Sequence, residues 1–343
     1  MARYLAIRVG TGALTVVGVV LLVFFIVRVL PGDAALVRGV GSGDPAYVDE
    51  IRHQYGLDRP LLAQFGSYLN GLIHGDLGTS VRTSMPVSGE LLSRLPATLE
   101  LAVYAVVVSA MCGILFGGVA ALRPGGIIDG ACRVYESIGS SMAVFWLGLV
   151  LTYVFFFKLG LFPPPIDRLP TGIMPPPQVT GFYTIDSLLA GQWGTFGDSL
   201  KQLALPVITL SVGGTAAVLK MVRMAMTGVL ASEFVRTARG LQLGKVEIFL
   251  RDGLRNAMIP VLTSIGLLFG YLLGGNILVE IIFAWPGVGR YAYTAIQSHD
   301  LAALQGFVIL TAVLYVGLNV VVDLLYGVLD PRVRKSARPA MTS

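Results

Sequence analysis

The chain has 343 residues, 55% of them hydrophobic and only 13% charged, with a mean hydropathy of +0.75. Soluble domains carry roughly 25% charged residues, so this composition excludes an ordinary water-facing surface and predicts an all-α membrane protein. The net charge of +5 is carried by basic residues that flank apolar runs. That pattern sets membrane topology and speaks against nucleic acid, which needs a solvated basic surface. Cys112 and Cys132 stand in or beside apolar runs, and His53, His74 and His299 are scattered, so neither a metal site nor a disulfide framework is expected.

In chain order, six apolar runs are long enough to cross a hydrocarbon core as helices: about 9–30, 97–121, 134–157, 203–227, 258–282 and 303–327. The first has a basic start, Arg3 and Arg8, but its run of about 20 apolar residues exceeds the 7–15 of a signal peptide. It is read as an uncleaved helix ending near residue 30. Residues 31–96 form a polar segment too long for a plain connector, expected to carry short helices and to cap the outer face. Residues 97–327 form the core. A proline-rich loop, with Pro163, Pro164, Pro165, Pro170, Pro175, Pro176 and Pro177, joins spans three and four. A basic loop at 228–257 joins spans four and five, and 328–343 is a tail.

Six spans place both termini on one side. Fifteen of the 25 Lys and Arg residues then lie on that side, among them Arg123, Arg133, Lys220, Arg223, Arg332 and Arg334. The bias makes it the cytoplasmic side.

The 228–257 loop carries the most information. Ser232 is a candidate N-cap and Glu233 suits the positive end of a helix dipole. Phe234, Ala238 and Leu241 fall on one apolar face, beside Arg236 and Arg239. Gly240 and Gly244 offer bends before a second amphipathic stretch with Arg251 and Arg255. Such a helix either lies on anionic lipid or docks in a groove on a partner protein.

This stretch resembles the EAA loop of ABC-importer permeases, and the chain is similar to the dipeptide/oligopeptide (and nickel) permease family over about 1–335. The matching residues are Leu30-Pro31-Gly32-Asp33, the Gln54–Leu61 stretch, Gly75-Asp76-Leu77-Gly78-Thr79-Ser80 and Arg94-Leu95-Pro96-Ala97-Thr98-Leu99. Further along stand Val235-Arg236-Thr237-Ala238-Arg239, Leu254-Arg255-Asn256-Ala257, Val279-Glu280, the Trp285–Arg290 stretch and Leu329-Asp330-Pro331-Arg332. The resemblance implies the type I ABC importer permease fold of six transmembrane helices with an extracytoplasmic segment between the first two. It implies that Glu233, Arg236, Thr237, Ala238, Arg239, Gly240, Leu243, Gly244, Lys245, Arg255 and Asn256 couple the chain to an ATPase. Leu241-Gln242 stand where the family has Lys-Gly, so the turn between the two short helices rests on Gly240 or Gly244.

No G-x-x-x-x-G-K-[ST] occurs, so no catalytic residue or cofactor is expected in this chain. The resemblance assigns ATP and Mg to two ATPase subunits or domains, and adds a second homologous permease subunit and an extracytoplasmic substrate-binding protein. Membrane lipid surrounds the whole. Asp76 and the turn Trp285, Pro286, Gly287 and Arg290 are candidates for gating or for touching the binding protein, the turn being expected at the outer surface. Glu280 and Asp323 stand at the ends of apolar runs, expected near an interface or paired with a cation of a neighbouring subunit. Tyr291 and Tyr293 suit an aromatic belt.

Three alternatives stand beside a peptide permease. A nickel or other small-solute permease belongs to the same family. A secondary transporter would need ionisable residues at mid-membrane and inverted repeats, which the sequence does not display. A membrane enzyme or scaffold would need a nucleophile–base set, and none is visible.

Overall fold

The computed structural model describes residues 2–29, 58, 60–232, 235 and 254–329. The regular secondary structure of the described residues is helical, apart from a single isolated β-bridge between Thr79 and Pro86. We number the helices α1 (Ala2–Val29), α2 (Leu61–Ile73), α3 (Val87–Leu122), α4 (Ile127–Ser141), α5 (Val144–Leu151), α6 (Tyr183–Leu189), α7 (Trp193–Leu230), α8 (Leu254–Gly275), α9 (Ile277–Ile282), α10 (Val288–Gln297) and α11 (Leu301–Leu329). A π-helical stretch, Thr152–Lys158, continues α5.

Among the described residues, four helices are long and apolar enough to cross a membrane: α1, α3, α7 and α11. The joined pair α4 and α5 makes a fifth, although it bends by 102°. The run predicted over 134–157 is therefore not one straight rod. Its break falls at Met142 and Ala143, both in extended backbone, after Gly139-Ser140-Ser141. The Ser140 hydroxyl donates to the Glu136 and Ser137 carbonyls (2.6 and 3.2 Å), competing with the helix ladder one turn before the break. The apolar part of α8, Pro260–Gly274, is shorter.

Helix α3 begins at Val87, about ten residues before the predicted span. Its 36 residues extend about 54 Å at 1.5 Å each, far beyond a hydrocarbon core of roughly 30 Å. The extra turns carry Glu90 and Arg94, which hydropathy reads as loop. Pro96 sits inside α3 without ending it, as membrane helices tolerate where neighbours satisfy the freed carbonyl.

The core is the pair α3 and α7, which run parallel. Ser211 Oγ donates to the Ala105 carbonyl (3.3 Å), while Gly113 faces Val218 and Gly117 faces Val222, so the offset stays nearly constant along the pair. The pair can only be this close because of glycine. A Cβ at Gly113 would lie 2.7 Å from Val218 Cβ, and one at Gly117 would lie 2.8 Å from the Leu219 carbonyl oxygen. Around this seam Leu101, Leu203, Val222, Leu272 and Trp285 form the main apolar cluster, with α8 and α9 closing it. A second cluster of Val87, Leu91, Val288, Tyr291 and Phe307 joins the start of α3 to α10 and α11. Helix α1 lies against α11, where Gly12 leaves room for Val316, and against α2, where Phe24 meets Phe65 and Tyr68 at 5.0 and 5.5 Å between ring centres.

Candidate functional site

The turn from Trp285 to Arg290 is built around a buried carboxyl. Glu280, in the short helix α9, is fully buried. Its Oε1 accepts from the Thr98 hydroxyl of α3 (2.7 Å), and its Oε2 accepts from the Arg290 amide (2.8 Å). The Thr98 oxygen in turn accepts from the amide of Val288 (2.9 Å), the first residue of α10. The glycine at 287 is required by space rather than by dihedral angle. Its backbone is extended, but a Cβ there would collide with Glu280 Oε1 and Thr98 Oγ1.

Trp285 is buried, and its indole N–H donates to the Ala97 carbonyl (2.8 Å). Within the turn expected at the outer surface, this side chain is thus covered by the protein. The indole is drawn inward because α3 offers it both an apolar wall, at Ala97 and Leu101, and a carbonyl that satisfies its one donor. Thr98, the next residue along α3, fastens the same turn through Glu280. Pro286 is half-buried, and Arg290 is exposed, its guanidinium donating to the Ala284 carbonyl (2.7 Å).

Asp76 is exposed in the turn after α2, where it accepts from the Gly78 amide (2.8 Å). Leu77, its neighbour, packs in the second apolar cluster with Val288 and Tyr291. The structure thus brings the Asp76 turn and the Trp285 turn onto one body, with Arg290 and Asp76 exposed and Trp285 and Gly287 inside it.

Sequence reasoning named Glu280 but missed the other acids that fasten this body. Glu100, in the first turn of the predicted second span, pairs with Arg168 of the proline-rich loop (2.6 Å), and both are buried. Its other oxygen accepts from the Thr184 amide (3.0 Å) and hydroxyl (2.7 Å). Arg168 also lies 3.5 Å over the Tyr183 ring. Asp186 gathers the amides of Val179, Thr180 and Gly181 and the Thr180 hydroxyl. Burial pushes its carboxyl up, but these four donors outweigh burial and hold it below the usual carboxylate range. Gly181 has a φ of +79°, and a Cβ there would lie 2.7 Å from Pro96 Cβ, so glycine is needed twice over. Glu90 accepts from the hydroxyls of Thr83 (3.0 Å) and Tyr291 (3.1 Å). Tyr291 is therefore buried instead of lying in an aromatic belt, and burial together with Glu90 pushes its hydroxyl up from its ordinary value. Asp300 accepts from Ser80 (2.6 Å) and caps α11 at the Ala303 amide. The signal available in sequence was Glu100 itself, an acid inside an apolar run.

At the opposite end of α3 and α7, Arg223 forks onto Glu136 (2.8 and 3.1 Å) and reaches Asp129 (3.5 Å), which also pairs with Arg133. Asp129 and Arg133 stand at i,i+4 spacing, a pattern legible in sequence. Asp323, expected near an interface or paired with a cation of a neighbouring subunit, pairs with Arg8 of the same chain (3.1 Å).

Of the expected coupling residues, Glu233, Arg236, Thr237, Ala238, Arg239, Gly240, Leu243, Gly244 and Lys245 lie outside the described residues. Arg255 and Asn256 fall in the first turn of α8. The Ser232 hydroxyl donates back to the Val229 carbonyl, at the end of α7.

Comparison with known proteins defines the class. Residues 113–335 match the family described as binding-protein-dependent transport system inner membrane component, and residues 1–102 match that family's N-terminal region. The chain belongs to this family. It is 41% identical over 320 residues to the probable D,D-dipeptide transport system permease protein DdpB of Escherichia coli K12, covering 93% of this chain and 94% of that one. It is 40% identical over 335 residues to the di/tripeptide transport system permease protein DppB of Pseudomonas aeruginosa, covering 97% and 99%. The dipeptide transport system permease protein DppB of Escherichia coli K12 is 37% identical over 337 residues, with the same coverage. Among solved structures, a chain of the MetNI methionine ABC transporter in inward-facing conformations superposes with a TM-score of 0.52 at 14% identity, covering 70% of this chain and 96% of that one. The likeness is one of fold.

Proposed function

We propose that this chain is a permease subunit of an ATP-driven importer, forming the path for di- or oligopeptides handed over by an external binding protein. The observation that carries the reading is identity of 37% to 41%, over nearly the whole chain, to permeases named for dipeptide or di/tripeptide transport. In this reading α1, α3, the α4–α5 pair, α7, α8 and α11 are six spans, with both termini in the cytoplasm. The segment 31–96 and the Trp285 turn face outward, where Asp76, Pro286 and Arg290 meet the binding protein and Trp285 and Gly287 hold the gate side of α3. A second homologous permease completes the path, and two ATPase subunits bind ATP and Mg. The loop 228–257 carries their motion to the spans.

The test is uptake of labelled dipeptide by the assembled complex in proteoliposomes loaded with ATP. Uptake that needs ATP and the binding protein is expected. Uptake driven by a proton gradient without ATP would overturn the reading. Arg239→Glu should lower both uptake and cargo-stimulated ATP hydrolysis while the chain still inserts. Normal uptake by that variant would remove the coupling role from this loop.

A further inference from the structure

A cavity of about 310 Å³ lies between α1, α8 and α11. That is at the lower end of the roughly 300–1,000 Å³ of small-molecule pockets. Its wall carries two polar stripes. Tyr315, Asn319 and Asp323 line it from α11, one residue per helical turn, and Arg8, Thr11 and Thr15 line it from α1. Both stripes fall inside the apolar spans Ala6–Ile26 and Leu301–Leu324. At 1.5 Å per residue they run about 10–12 Å along those helices. Hydrocarbon cannot satisfy polar side chains placed so, and their convergence on one cavity marks a site for a polar ligand.

Both signs of charge belong to the lining. Arg8 and Asp323 stand at the end of their stripes and pair there, Nε to Oδ2 at 3.1 Å. The Thr11 and Thr15 hydroxyls donate to their own helix, to the Arg8 and Thr11 carbonyls (3.0 Å each), and can only accept from a ligand. Tyr315 and Asn319 make no side-chain hydrogen bond among the described residues, so each brings a donor to the cavity. A ligand of net negative charge would gain from Arg8 what it loses against Asp323, and a net cation the reverse. The complementary chemistry is a zwitterion with its cation a few atoms from its anion, and with acceptors further on for Tyr315 and Asn319. The lining also includes Leu267, which is 60% exposed, so the cavity opens at an apolar surface.

We propose that this cavity holds the headgroup of a phosphatidylethanolamine, with its phosphate beside Arg8, its ammonium beside Asp323, and its ester carbonyls accepting from Tyr315 and Asn319. The acyl chains leave past Leu267 into the bilayer. Phosphatidylglycerol lacks the ammonium that offsets Asp323, and the choline group of phosphatidylcholine has no N–H to donate to it. The inference rests on the chain's membrane setting and not on its cargo or its ATPase coupling. It therefore stands or falls separately from the proposed function.

The experiment uses the full complex in nanodiscs doped with phosphatidylethanolamine carrying a diazirine at the start of one acyl chain, and in parallel with the phosphatidylglycerol and phosphatidylcholine analogues. After illumination, labelled peptides are mapped. Labelling at Leu267, Val316 or Val320 is expected, about fivefold stronger with phosphatidylethanolamine than with either other lipid. Asp323→Asn leaves Arg8 without its anion and should reverse the order, with phosphatidylglycerol labelling most. Asn319→Leu leaves the ion pair intact, and should lower phosphatidylethanolamine labelling about fivefold. It keeps the test open should Asp323→Asn fail to assemble. Equal labelling by the three lipids, none at these residues, or an order unchanged by Asp323→Asn would overturn the proposal. So would a cysteine placed at Leu267 that crosslinks to a second permease subunit, since protein would then cover the cavity.

Discussion

The two ends of the α3–α7 pair are fastened in different ways. Where the helices begin, buried acids bind elements far apart in sequence: Glu280 joins α9 and α10 to Thr98, Glu100 joins α3 to Arg168 and Thr184, and Asp300 joins α11 to Ser80. Where the helices end, the acids Asp129 and Glu136 tie α4 to α7 through the single residue Arg223. The first end is a clasp of many interlocked contacts, which favours motion as one body. The second has one ion cluster, centred on Arg223, besides the Tyr135–Val212 hydrogen bond further along α7, and it lies next to the segment that leads to the 228–257 loop. If the 228–257 loop couples the chain to an ATPase as proposed, this asymmetry puts the more yielding end beside it.

The largest effect should come from opening the clasp at its ion pair. Arg168→Met leaves Glu100 buried without its cation, and removing one partner of a buried pair costs about 3–5 kcal/mol. The expected result is a clear fall in the thermal unfolding midpoint of the purified protein. Adding Glu100→Gln should recover part of the loss, since the amide oxygen still accepts from Thr184 while no buried charge is stranded. A single variant as stable as the parent would break the contrast between the two ends.

Much of this contrast is hidden in the sequence. Apolar runs at roughly the right places point to the helical membrane class, because span length follows from bilayer thickness. The start of α3 escapes hydropathy because its first turns carry Glu90 and Arg94, and Glu90 becomes acceptable there only once Tyr291 and Thr83 cover it. Trp285 and Tyr291 read as surface aromatics because their partners, the Ala97 carbonyl and Glu90, lie 188 and 201 residues away. Pairing across that separation has no local signature. Motif order sets Val279-Glu280 shortly before the Trp285 turn but gives no sign that the two touch, and the structure joins them through Thr98.

A smaller effect should follow from Asp186, and it should depend on pH. Its folded carboxyl titrates below the usual range, so its contribution is present above the unfolded value of about 3.9 and is lost as pH falls through the lower folded value. Asp186→Asn presents an amide N–H₂ to donors that need acceptors, and should cost about 1.5–3 kcal/mol at pH 7. The gap between variant and parent should narrow as pH drops below about 4, measured as unfolding midpoints across pH. A gap that stays constant as the pH falls well below about 4 would show that the loop 179–181 is held by packing and not by the charge.

The smallest effect belongs to the other end. Arg223→Gln removes the fork onto Glu136, but Asp129 keeps Arg133 and the Gly125 amide, which donates at 2.8 Å. Arg223 and Glu136 keep 20% and 11% of their side-chain surface, so the loss should fall between the roughly 1 kcal/mol of an exposed pair and the roughly 3–5 kcal/mol of a buried one, and the unfolding midpoint should move less than in Arg168→Met. If the tie also sets how α4 follows α7, dipeptide uptake should fall by more than this loss of stability explains. A midpoint shift as large as that of Arg168→Met would mean that both ends are equally rigid, and the yielding end would have to be sought elsewhere, between α8 and α11.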